Sequence, residues 1–168
     1  MGYDVYGLNP KNVEYLEANH PGDFDFSKSQ VNSPEYKEWR HKEWTAEATS
    51  GVYFRQSVGG YWGVLMYWAQ KIIKDLPNSI MFNEGYVINE EDAFKIADYI
   101  EDLLSKDEFK ESIAEFLTTR YNDDRDKGYY GDMPELTMEI LDEKVNEMSH
   151  IVSTFVKFAK NSGGFRIS

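Results

Sequence analysis

The chain has 168 residues, no cysteine, 41% hydrophobic and 15% aromatic residues, and a formal net charge of −12. That length and aromatic content fit a single domain, 1–168, with a real core, and exclude a disordered chain. The missing thiols exclude disulfides, thiolate nucleophiles, cysteine zinc sites and iron–sulfur clusters.

Residues 1–8 read as an extended segment around Val5, Tyr6 and Leu8. Asn9-Pro10 predicts a helix start, with asparagine as cap and proline at the first helical position, and a short helix to about Glu17. Asn19 to Asn32 reads as a loop punctuated by Pro21-Gly22. Ser33-Pro34 opens a second helix to about Ala48, with Tyr36, Trp39, Glu43 and Trp44 near one stripe, and Ser50-Gly51 ends it. Val52 to Arg55 is a short extended segment. A third helix is expected over 59–75, where Tyr61, Leu65, Trp68 and Ile72 form one stripe. Trp62, Met66, Ala69 and Ile73 form the adjacent stripe, so this helix is surrounded on most sides.

Asn89 caps a helix over 90–104, with Phe94, Ala97, Ile100 and Leu104 inward. Ser105-Lys106-Asp107-Glu108 has capping-box spacing and predicts a helix over 106–120. Residues 121–133 are polar and read as a loop. In the last helix, over 135–160, Met138, Leu141, Val145, Met148, Val152, Phe155 and Ala159 recur at helical spacing until Gly163-Gly164. Phe165 to Ile167 is a closing extended segment able to pair with 3–8 or 52–55. The expected fold is mainly α: a compact bundle of about five helices around the apolar 59–75 helix, with a minor extended element near the termini. Loops 19–33 and 121–133 are its expected mobile parts.

Charge is uneven. Residues 84–147 hold 20 acids against 7 bases, whereas the remainder holds 10 against 11. Such a field repels nucleic acid, so direct DNA or RNA binding is disfavoured; it either attracts a basic protein partner or is simply a solvated face. No stretch approaches the roughly twenty apolar residues of a membrane span. The opening has neither a basic start nor an apolar run, so no secretory leader is expected and a cytoplasmic setting is.

Two Glu-x-x-His motifs, Glu38 to His41 and Glu147 to His150, suggest a carboxylate-bridged metal bundle. At helical periodicity, however, both histidines fall opposite the apolar stripes, and the 59–75 helix has no acid before Asp75. Solvated faces account for them better. Asn122 to Gly128 looks like a calcium loop, but with Gly128 in the sixth position Arg125 and Lys127 stand where oxygen ligands belong. No nucleophile elbow or phosphate loop is present, and no cofactor is called for.

Arg55 is the odd residue of the aromatic 53–68 stretch, since a cation among rings needs an acid or a ring face. Asp4, or an acid of the 90–147 region, is a candidate partner. A ligand or ion-pair site of Asp4, Tyr6, Tyr53, Arg55 and Trp62 is therefore the expectation, with either a structural ion pair or an anionic ligand at its centre.

Three segments resemble a family of small bacteriophage and prophage proteins of unassigned function. They are Met1 to Pro10 (Gly-x-Asp-Val-Tyr-Gly-x-Asn-Pro), Tyr53 to Val58 leading into Tyr61-Trp62 and Leu65, and Phe158 to Phe165 with its Gly-Gly-Phe. Gly59-Gly60 stands where members tend to carry more tryptophan. The resemblance implies a phage-type accessory role and no catalytic residues, and places the three segments side by side. With the charge pattern, it makes a non-enzymatic protein-binding module using the acidic 84–147 surface the leading expectation, a DNA mimic being one specific form of it. A small-molecule or enzyme site around Tyr6, Tyr53, Arg55 and Trp62 is the alternative.

Overall fold

The computed structural model describes residues 2–57, 61–77, 85–128 and 135–168. Their elements are β1 (Gly2–Gly7), α1 (Val13–Asn19), α2 (Pro34–Ser50), β2 (Tyr53–Ser57), α3 (Tyr61–Ile72), β3 (Val87–Ile88), α4 (Glu90–Leu104), α5 (Glu108–Asp126), α6 (Met138–Asn161) and β4 (Phe165–Ile167). The fold is mainly α, as expected. The extended element is more than a terminal fragment, because the four strands form one antiparallel sheet in the order β2-β1-β4-β3. The opening, the Tyr53 segment and the Phe165 segment are thus neighbours, with β1 between β2 and β4.

Helix ends follow local chemistry in most places. Ser33 accepts a hydrogen bond from the Tyr36 N–H and Pro34 takes the first turn of α2. Asn89 caps α4 through the Asp92 N–H, and Thr137 caps α6 through the Ile140 N–H. Two expected starts fail for identifiable reasons. Around Asn9-Pro10 the backbone is committed elsewhere: Leu8, Asn9 and Lys11 donate to the carbonyls of Gly164, Ser162 and Asn161, so α1 begins only at Val13. Ser105 does not cap α5. Its hydroxyl turns back to the Asp102 carbonyl and closes α4 instead.

The loop expected at 121–133 is also corrected in its first part, because α5 continues to Asp126. Residues 122–126 contain neither glycine nor proline, and the Asp123–Lys127 pair at 4.0 Å supports the last turn. A helical 123–126 cannot wrap a calcium ion. Gly59, Gly60 and residues 129–134 lie outside the described residues.

The core sits between one sheet face and the helices. Val5, Phe54, Ile88, Phe165 and Ile167 point inward from the strands to meet Phe155 and Phe158 of α6. Trp62, Val64, Leu65, Met66, Trp68 and Ala69 make α3 apolar on most sides. The element that touches most others is α6, which packs on α2, α3, α4, α5, β1 and β2. At the junction of α2, β1 and the end of α6 the backbones nearly touch. Gly51 there has φ 80°, and a Cβ on it would overlap the Asn161 carbonyl. Among the described residues no helix is long and apolar enough to cross a membrane.

Candidate functional site

Alternation along the strands sorts the expected site residues. Phe54 and Gln56 point to the core, so Tyr53 and Arg55 point to the outer sheet face, where Asp4 and Tyr6 of β1 stand opposite them. Tyr53 and Tyr6 lie ring to ring at 5.2 Å. The Tyr53 hydroxyl donates to Asp4, and Arg55 Nε lies 3.5 Å from the same carboxylate oxygen. Burial, then the Asp4 hydrogen bond and charge, pushes the Tyr53 hydroxyl well above its ordinary pKa, so it stays a donor. Trp62 does not join this group. It is 1% exposed on the opposite side of the sheet, stacked on Tyr3 at 5.3 Å.

Arg55 is not sealed by Asp4, since its side chain remains 54% exposed. It opens into a trough of about 680 Å³ between α2 and the strand β2. The α2 wall is a helical stripe, Lys37, Arg40, His41, Trp44 and Glu47, repeating at three- and four-residue intervals. Tyr36 stands beside the stripe, and Tyr53, Arg55, Gln56 and Gly2 form the other wall. Trp44 ties the walls together, packing on Phe54 and donating its indole N–H to the Arg55 carbonyl at 3.2 Å.

The charge in this trough is the reverse of the whole chain's. Lys37, Arg40 and Arg55 face Glu47, the one lining acid among the described residues. Arg40 is held by Glu43, one turn along α2, and lies 5.8 Å from the Trp39 ring. Lys37 has no ion partner among the described residues. Glu47 is half-buried, and burial followed by the Glu43 charge raises its carboxyl pKa.

Three ligand-type side chains also meet beside the trough: His20, Glu43 and Glu47 lie close enough for one ion to reach all three. Their hydrogen bonds oppose a metal. The Gly22 N–H donates to His20 Nδ1 at 3.1 Å, which puts the ring proton on Nε2, the nitrogen facing Glu43 at 3.9 Å. Glu43 is already neutralised by Arg40. His20 is therefore arranged as a donor to carboxylates rather than as a metal ligand.

The two Glu-x-x-His motifs meet in an unforeseen way. His41 and His150 come together across the α2–α6 contact, ring centroids 5.0 Å apart, with Trp44 beside both. Their glutamates turn aside, Glu38 to Lys42 at 2.7 Å and Glu147 to Lys144 at 3.7 Å. Burial, followed by the charges of His41 and Lys157, lowers the His150 pKa.

Sequence reasoning found the sheet-face group and missed the α2 wall. The signal was present as a cationic and aromatic stripe, but nothing in the sequence said that a strand edge lay against it. No protein-family model matches the chain, and no curated protein or solved structure matches it either.

Proposed function

We propose that the protein is a non-enzymatic binding module that takes up an anionic ligand in the trough between α2 and β2. The observation that carries this reading is Arg55, half-exposed in an open trough whose facing wall carries Lys37 and Arg40. Cations gathered on one concave surface of an otherwise acidic chain concentrate anions there. Tyr36, His41 and Trp44 add flat rings, which favours a ligand with apolar or planar parts beside its charge. The resemblance to small bacteriophage proteins adds an accessory setting to the reading.

The test is thermal stabilisation by citrate and by an alternating Glu-Val hexapeptide, each against the Lys37→Gln/Arg55→Gln double variant. Stabilisation of the wild type that the double variant loses is expected. If neither anion acts, or both act equally on the variant, the reading fails.

The acidic surface supplies a second reading. Asp107, Glu108 and Glu111 of the α5 start and Glu139 and Glu143 of α6 are exposed and have no ion partner among the described residues. They favour a basic protein as a further partner. The DNA-mimic form has weaker support, because Glu91, Asp98, Glu101 and Asp102 on α4 are already paired with lysines.

A further inference from the structure

We infer that the ligand of this trough is an extended acidic peptide that adds as a fifth strand to the edge of β2. This inference rests on the anion-binding reading above and adds the ligand's class and its register. β2 ends the sheet order, and among the described residues no strand pairs with its outer side.

The register shows which backbone groups face that side. Asp4 exchanges both of its backbone hydrogen bonds with Ser168, on the β4 side of β1. Its partner across the other ladder, Arg55, is therefore a non-hydrogen-bonded pair with it and aims its own N–H and C=O away from β1. Tyr53, two residues earlier, does the same. These groups open toward α2, the wall that carries Lys37 and Arg40. The Arg55 carbonyl receives the Trp44 indole at 3.2 Å, which uses one of its two lone pairs and leaves the other.

An extended chain laid between a helix and an unpaired strand edge obtains affinity from main-chain hydrogen bonds and specificity from alternate side chains. The trough fits that mode in shape as well. Its α2 wall runs from Tyr36 to Glu47, roughly 16 Å at the helical rise, and the five residues of β2 span roughly the same length. An extended chain with an acid at every second residue reaches Lys37, Arg40 and Arg55 together, and its backbone meets the edge.

The experiment uses the intact protein and fluorescently labelled alternating Glu-Val hexapeptides in anisotropy titrations. Two derivatives are compared with the parent: one N-methylated at every Glu, the other at every Val. N-methylation removes the donor, and only every second residue donates to β2. One derivative is therefore expected to bind within about threefold of the parent and the other at least tenfold more weakly. The corresponding Lys-Val peptide is expected not to bind. Equal affinity of both derivatives overturns strand addition, and so does failure of the parent to bind while citrate still does; the anion-binding reading then stands alone. If neither citrate nor any acidic peptide binds, both readings fall together.

Discussion

Replacing Asp4 by asparagine separates the stability of this sheet face from its capacity to bind. The Asp4 carboxylate accepts the Tyr53 hydroxyl and lies 3.5 Å from Arg55 Nε, with the two side chains 32% and 54% exposed. At that separation two unit charges attract by about 1.2 kcal/mol in water, and salt and side-chain entropy reduce an exposed pair to about 0.5 kcal/mol. Asparagine keeps an oxygen for Tyr53, so a charged hydrogen bond becomes a neutral one at a cost of about 0.5 kcal/mol. Asp4→Asn should therefore lose about 1 kcal/mol in urea unfolding, or about 2–4 °C in Tm. Binding should move the other way. Arg55 is released from its competitor and one repelling charge is gone, so the acidic hexapeptide should bind about three- to tenfold tighter by anisotropy. A variant that is destabilised and binds the peptide no better, or more weakly, would refute the competition between Asp4 and the ligand for Arg55.

Three further outcomes test the packing and the titration. Gly51→Ala forces a side chain into positive φ and onto the Asn161 carbonyl, and should cost about 2–4 kcal/mol in urea unfolding; a cost near zero would mean the α2–α6 junction is looser than described. Trp62→Ala empties a fully enclosed site and should cost about 3–5 kcal/mol. Peptide affinity measured on the folded protein should change by less than about twofold, because Trp62 lies on the core side of the sheet; a large loss would return it to the site. His150 has its pKa lowered by burial and by the charges of His41 and Lys157. The unfolded chain then takes up the proton first, so stability is lost as pH falls from 7 through about 6.5 and below. His150→Gln should flatten that slope in pH-dependent urea titrations, and an unchanged slope would locate the acid sensitivity elsewhere.

How much could be read from the sequence depended on whether the deciding interaction was local. Ser33-Pro34, Asn89 and Gly51 act through bonds within a few residues, and each does what its type suggests. Asn9-Pro10 and Ser105 have equally good local signatures and are overridden. The first is claimed by the carbonyls at the end of α6 and the second by the last turn of α4. The sheet was underestimated because β3 has only two residues, and its pairing to β4 is a long-range event that periodicity does not report.

The site divides along the same line. Asp4, Tyr6, Tyr53 and Arg55 were legible because a cation among aromatic residues demands a partner. Trp62 is not legible as a core residue in the sequence, because the side of the sheet that α3 packs against is a long-range outcome that spacing does not report. Lys37 and Arg40 went unnoticed as a site because a cation on a polar helix face looks solvated until an opposing wall is known. His41 and His150 likewise lie on polar faces of their own helices, and only the α2–α6 packing brings them into contact.

The binding trough is tested most directly by following backbone amide resonances of the isotope-labelled protein as the alternating Glu-Val hexapeptide is added. Saturable shifts confined to 36–47 of α2 and 53–57 of β2, absent in the Lys37→Gln/Arg55→Gln variant, are the expected result. Shifts that instead fall on α5 and α6 and answer only to the Lys-Val peptide would contradict the trough and leave the acidic surface as the binding face.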